Sequence, residues 1–292
     1  LRTRAVAVDE SEFFAATIRV REGLMPYRDF WEHHLPLQWY LMAPWARLSD
    51  PPSIQDVIRI RGLQSLLWLL FGVAFISLLR RHGVTLPAAL GALSLLVSST
   101  LFSTFAVEYR IDTPMNVFFF LGLLLSERSL EETGGTERLS AGAAGVAFAL
   151  AALFSQRMVP VAMIALVLYA VVRRGGRWGF RPAFGLAWAA ASSVVLVFVS
   201  AFSLGGGFGE LIDQNVIQNA SYETLAVQDG GVRISALWPV SLAATLLDIG
   251  FFILLLLSAA VMLAFRRRLL SRCPATRFFV LLLGQVVLLS RI

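Results

Sequence analysis

Residues 8–44 read VDESEFFAATIRVREGLMPYRDFWEHHLPLQWYLMAP, and the first long apolar run, residues 63–79, follows shortly after. Six carboxylates, Asp9, Glu10, Glu12, Glu22, Asp29 and Glu32, stand in this stretch, ahead of a chain that is otherwise apolar. Hydrophobic residues make up 57% of the sequence, charged residues 15%, and the mean hydropathy is +0.72, which fits a polytopic membrane protein and not a soluble globular domain. The acids therefore belong at a membrane surface. Which surface, and why so many, decides how the chain folds.

Working outward, further apolar runs occupy residues 84–107, 111–126, 140–155, 158–172, 183–204, 249–265 and 278–290. Several are shorter than the roughly 20 residues of a straight span, so arginine placement arbitrates. If all eight cross, the loops at 80–83, 127–139, 173–182 and 266–277 share one side and hold thirteen arginines against four acids. The opposite side, with residues 1–62, 108–110, 156–157, 205–248 and Asp112, holds eleven arginines against fifteen acids. By the positive-inside rule the first set is cytoplasmic and the acids face outward. Runs 140–155 and 158–172 could instead form a re-entrant pair without changing this parity. The expected architecture is all-α: an exterior loop, residues 1–62, carrying amphipathic surface helices, and a transmembrane bundle of about eight runs, residues 63–292.

The net charge of +6 is carried by arginine alone, since the chain has no lysine. These arginines punctuate short loops and make no basic face interleaved with aromatics, so nucleic acid is not an expected partner. The single cysteine, Cys273, excludes an internal disulfide and a multi-cysteine metal site. A start at LRTR without methionine, and an end at LLLSRI beside an apolar run, read as a piece of a longer protein truncated at both ends.

Within the exterior loop, residues 11–22 predict a short helix on the membrane surface, with Phe13, Phe14 and Ile18 on its apolar flank and Gly23 as its stop. Asp9 with Glu12 fits an acidic capping box at its start. Residues 35–47, LPLQWYLMAPWAR, have the Trp and Tyr of an interfacial belt, and residues 205–248 are long enough for a small helix or lid. The alternating topology gathers Asp9, Glu10, Asp29, Glu32, His33, His34, Glu108, Arg110, Asp112 and Arg157 on one face. Structural readings compete with each. Asp9 could cap a helix, Arg110 could simply pair with Asp112, Arg157 could anchor a span, and His33 and His34 could be interfacial polar residues. Asn219-Ala220-Ser221 fits a glycosylation tripeptide, and GGGFG at 205–209 lacks the preceding strand of a dinucleotide site.

The order DE, G-x-x-PYRDF, E-x-x-x-PL-x-W-Y and R-x-DTP, at Asp9–Glu10, Gly23–Phe30, Glu32–Tyr40 and Arg110–Pro114, resembles the GT-C class of membrane glycosyltransferases. More narrowly it is similar to bacterial relatives of protein O-mannosyltransferases and aminoarabinose transferases. The resemblance implies an inverting transfer of sugar from a polyprenyl-phosphate donor to a cell-envelope glycan, lipid or protein, at the periplasmic face of a bacterial inner membrane. It implies Asp9 as catalytic base with Glu10 beside it, and Glu32, His33, Arg110, Asp112 and Arg157 as substrate-binding residues. Arg157 and Arg110 are the candidates for the donor phosphate. EHHLP departs from the Glu-Lys-Pro-Pro motif of the aminoarabinose enzymes, because His33 replaces the lysine. No metal ligand is assigned and no cofactor is fixed, and the chemistry leaves room for a divalent metal. The rival class is a transporter or flippase, whose charges lie nearer the bilayer midplane on broken helices.

Overall fold

The computed structural model describes residues 8–46, 53–81, 83–98, 108–156, 158–174, 177–180 and 182–218. They are mostly helical. Helix α1 spans Val8–Arg21, with Asp9 and Glu10 in its first turn and Arg19 and Arg21 in its last, each sign complementing the helix dipole. It stops where expected, at Gly23, whose φ of +88° gives the left-handed turn that returns the Gly23 and Leu24 amides to Val20 and Arg19. It starts earlier than the sequence suggested, so Asp9 lies on the helix.

Helix α2, Leu37–Met42, runs into a 3-10 turn, Ala43–Trp45. Helix α3, Ile54–Arg81, opens on a capping interaction in which the Ser53 amide and hydroxyl donate to the Asp56 carboxylate at 3.0 and 3.1 Å. There follow α4 (Leu86–Ser98), α5 (Asp112–Glu131), α6 (Gly134–Phe154) and α7 (Met158–Ala170). An antiparallel hairpin, β1 (Val171–Arg174) with β2 (Arg177–Phe180), leads to α8 (Pro182–Leu204). Helix α9 (Phe208–Ile212) and a π-helical turn, Asp213–Gln218, end the described chain.

Among the described residues, three helices are long and apolar enough to cross a membrane: Ile54–Arg81, Gly134–Phe154 and Ala183–Leu204. Helix α7 has 13 residues, short of a straight span, and the part of run 84–107 beyond α4 lies outside the described residues. The expected run 158–172 ends as helix at Ala170, where the hairpin begins. Runs 249–265 and 278–290 lie outside the described residues. Leu66, Leu69, Leu70 and Val73 of α3 and Leu196 and Val197 of α8 are exposed, an apolar outer surface that suits lipid.

Helix α6 is the centre of the bundle, packed against α5 and α8, while α3 lies on the other side of α5. Phe71, Phe119, Phe120, Phe148, Phe154 and Phe184 fill the core between them. Small residues set the spacing: a Cβ on Gly145 would stand 2.0 Å from the Ala187 carbonyl oxygen, a backbone atom that cannot swing aside. Gly145→Ala is therefore expected to destabilise by about 1–3 kcal/mol through overpacking. Gly91→Ala, in open space, should be neutral or slightly stabilising; thermal unfolding of both variants in one detergent checks the contrast.

A second, smaller cluster forms a layer at the acid-rich end. Phe13, Phe14 and Val20 of α1 pack on Trp39 and Met42 of α2, Val57 and Ile60 of α3, and Tyr109 and Ile111. The ends that alternation assigns to one side do lie together: Arg81 pairs with Glu131 at one end, and Gln64, Gln156, Gly205 and Gln214 all bond to the acid-rich end.

Candidate functional site

Adjacent helical residues project about 100° apart, and this separates Asp9 from Glu10. The Glu10 side chain is fully buried. Arg61 Nε donates to its Oε1 at 2.6 Å and Nη2 to its Oε2, and the Tyr109 amide adds a bond to Oε1 at 2.8 Å. Tyr109 is tied in turn to Thr17 of α1, hydroxyl to hydroxyl, at 2.7 Å. Glu10 thus clamps α1 to α3 and to the strand of chain before α5. It does not face solvent.

The Asp9 side chain is 55% exposed and rests on a single described guanidinium: Arg110 Nη1 donates to its Oδ2 at 3.0 Å. Arg110 also serves Glu108 Oε2 at 3.5 Å through Nη1 and Asp112 Oδ2 at 3.2 Å through Nε. Gln64 fixes the Arg110 backbone in both directions, donating to its carbonyl at 2.6 Å and accepting from its amide at 3.2 Å. The carboxylate expected to cap α1 is instead spent on a residue 101 positions away. Arg110 thus stands among three acids, of which Glu108 also acts on the charge of Arg61.

One turn along α1, Glu12 faces a second group. The Glu32 side chain is buried, and its Oε1 accepts from the His33 and His34 amides at 2.9 and 3.0 Å and lies 3.1 Å from His34 Nδ1. His33 Nδ1 lies 3.7 Å from Glu12 Oε1. Trp31 stacks on His33, and the two imidazole rings lie 3.8 Å apart, centroid to centroid. Burial, then the nearby charges of Glu32 and Asp9, push the Glu12 carboxyl above its ordinary value. Donor atoms of Glu32, His33 and His34 lie within 4.8 Å of one another, a group able to hold a metal ion.

The loop between α1 and α2 is held from several directions. Tyr27 adopts φ +69°, its amide donates to Phe30 at 2.9 Å, its hydroxyl to His34, and its carbonyl accepts from Gln214 at 3.0 Å. Such non-glycine backbone strain survives only where the surroundings over-determine it. Arg28 grips Asp29 through Nε and Nη2 at 2.9 and 2.7 Å and reaches Gly205 at the end of α8. With the Met25 amide, this guanidinium holds the Asp29 carboxyl down at about 2. A depressed carboxyl stabilises the fold fully above its ordinary value of 3.8, and that contribution disappears as pH falls through about 2. Exchange of the Met25 amide should accordingly rise over that window in wild type, while Asp29→Asn should already exchange fast at neutral pH.

Comparison with family models, with curated proteins and with solved structures returns no match. The site is therefore read from its own geometry. Of the residues singled out in the sequence, Asp9, Arg110 and Asp112 come together directly, and Glu32 and His33 lie around Glu12, the next turn of the same helix. Glu10 is turned away from them. Arg157 lies outside the described residues, although its neighbour Gln156 donates to the His33 carbonyl at 3.0 Å. The sequence reading missed Arg61, Gln64 and Gln214. For the first two the signal was present: a charged residue and an amide three apart, on one face at the head of an apolar run. Gln214 carried none, because its role depends on a tertiary contact with Tyr27 and Glu32.

Below Asp112, Thr113 Oγ1 and Asn116 Oδ1 are buried with no hydrogen-bond partner among the described residues. They are one turn apart on α5, and buried polar atoms of this kind call for an explanation.

Proposed function

We propose that the chain is part of a polytopic membrane glycosyltransferase of the GT-C type, with its site facing the periplasm of a bacterial inner membrane. It would move a sugar from a polyprenyl-phosphate donor to a cell-envelope glycan, lipid or protein. The observation that carries this reading is the division between neighbouring acids: Glu10 is buried on Arg61, while Asp9 is exposed yet aimed by Arg110. An acid that only caps or staples a helix needs no such orientation. A general base does.

In this reading the acceptor hydroxyl attacks the anomeric carbon as its proton passes to Asp9. The new C–O bond forms on the face opposite the breaking bond, and that bond's electrons leave with the lipid phosphate, so configuration inverts. Arg110, committed to three carboxylates, acts as a positioning residue for Asp9, and Arg157 is kept as the candidate for the phosphate. The unspent atoms of Thr113 and Asn116 suit hydroxyl groups of a sugar. The lipid-linked donor accords with the lack of a nucleotide-binding motif.

The test is transfer by the full-length protein in membrane vesicles supplied with a panel of radiolabelled polyprenyl-phosphate sugars. Incorporation of label into an endogenous envelope acceptor from at least one donor is expected. Failure of every donor, in vesicles of both orientations, would overturn the proposal.

A further inference from the structure

We infer that Gln64 of α3 is a further positioning residue for the transfer, acting through Arg110 on the carboxylate of Asp9. This role rests on the transferase reading and adds to it a residue outside the acid cluster. Residues 108–110 lead toward α5 outside any helix or strand. Backbone groups in such a segment still need partners, and side chains of two other helices supply them. The Tyr109 amide donates to Glu10 of α1, and the Arg110 amide and carbonyl both bond to Gln64.

A carboxamide suits this place because it donates and accepts at once. Gln64 Nε2 donates to the Arg110 carbonyl at 2.6 Å while Oε1 accepts from the Arg110 amide at 3.2 Å. The pair of bonds copies the exchange between two facing residues of an antiparallel ladder, so the Arg110 backbone cannot slide or turn without losing both. Gln64 is itself only 1% exposed and sits on a long helix, a rigid support. One turn earlier on the same face of α3, Arg61 holds Glu10, whose Oε1 takes the Tyr109 amide. Helix α3 thereby sets two consecutive residues, and the second carries the guanidinium that aims Asp9.

The chemistry makes that placement matter. A general base must stand within hydrogen-bond reach of the proton it takes, and a misplacement of about 1 Å can cost about 10²-fold in rate. Arg110 meets Asp9 at 3.0 Å with a side chain that also serves Glu108 and Asp112. Held by carboxylates at its head and by Gln64 at its root, the side chain is fixed at both ends. Freed at its root, the same guanidinium would settle among its three acids with no set distance to Asp9.

Steady-state transfer by the full-length protein in vesicles, with the polyprenyl-phosphate sugar that wild type uses, tests this role. Gln64→Leu, close in size, is expected to lower kcat about 10–100-fold, with KM within about two-fold of wild type. Gln64→Glu keeps the acceptor and regains the donor only when protonated. Its rate relative to wild type should therefore rise as pH falls from about 8 to about 6, a window that burial of the new carboxyl brings within reach. A Gln64 that only supports the fold would lower the unfolding temperature and leave kcat per folded molecule and the pH profile as in wild type. Hydrogen exchange at the Arg110 amide reads the clamp with no donor present, and Gln64→Leu should quicken it. Wild-type kcat or unchanged exchange in Gln64→Leu, or a Gln64→Glu rate ratio that is flat with pH, would overturn the inference and leave the transferase proposal standing. A wild type inactive with every donor would overturn that proposal and this role with it.

Discussion

Glu10→Ala should lower the stability of the folded protein by about 3–5 kcal/mol, because it takes a two-point carboxylate partner from the Arg61 guanidinium, which is 1% exposed. The loss has two parts. Arg61 keeps the desolvation penalty of a buried ion without the two bonds from Glu10, and the Tyr109 amide loses its acceptor. Arg61→Ala should cost a similar amount from the other side. Replacing both residues with methionine removes two charges together and should recover most of the loss, since a buried pair often breaks even against apolar groups of the same length. Unfolding of the four proteins in one detergent gives the double-mutant cycle. Single variants within about 0.5 kcal/mol of wild type, the range of ordinary surface substitutions, would mean that the pair does not hold α1 to α3.

The second large effect is on turnover. Asp9→Asn keeps the size and polarity of an exposed side chain, so the fold should be unchanged, while the group to which the proposed transfer gives the acceptor's proton is gone. General acid–base contributions of about 10²–10⁴-fold set the expected loss. It should fall on kcat more than on KM, because the carboxylate acts as the proton moves and contributes little to ground-state binding. Arg110→Gln should give a milder version of the same pattern, because Asp9 survives but loses the bond at 3.0 Å that aims it. Glu10→Gln, by contrast, should change stability and leave the profile of the remaining activity alone. A common loss in all three would point to folding and not to chemistry.

That the acid-rich stretch gathers at one end of the bundle was legible in the sequence, because charge and hydropathy alternate along the chain. Arg81 meets Glu131 at one end of the described bundle and Gln156 meets His33 at the other. The stop of α1 at Gly23 was legible from local backbone chemistry. Its start was not: an acid at position 9 and another at position 12 fit a cap, and only the tertiary contact to Arg110 shows the carboxylate spent elsewhere. The different fates of Asp9 and Glu10 were likewise hidden, since both precede the same apolar flank and their exposure depends on where α3 lies. Runs 158–172 and 183–204 already differ in length in the sequence, and the structure keeps the difference: the first is helical for 13 residues before the hairpin, and the second continues as a long apolar helix. The hairpin itself was not read from the sequence.

The central claim is that Asp9 is the base of an outward-facing sugar transfer, and the initial rate of transfer by wild type and Asp9→Asn, side by side in the same vesicles, tests it most directly. Thermal unfolding of the two proteins serves as the control. A rate ratio of about 100 or more at matched unfolding temperature is the predicted result. Equal rates would contradict the account and reduce Asp9 to a surface partner of Arg110.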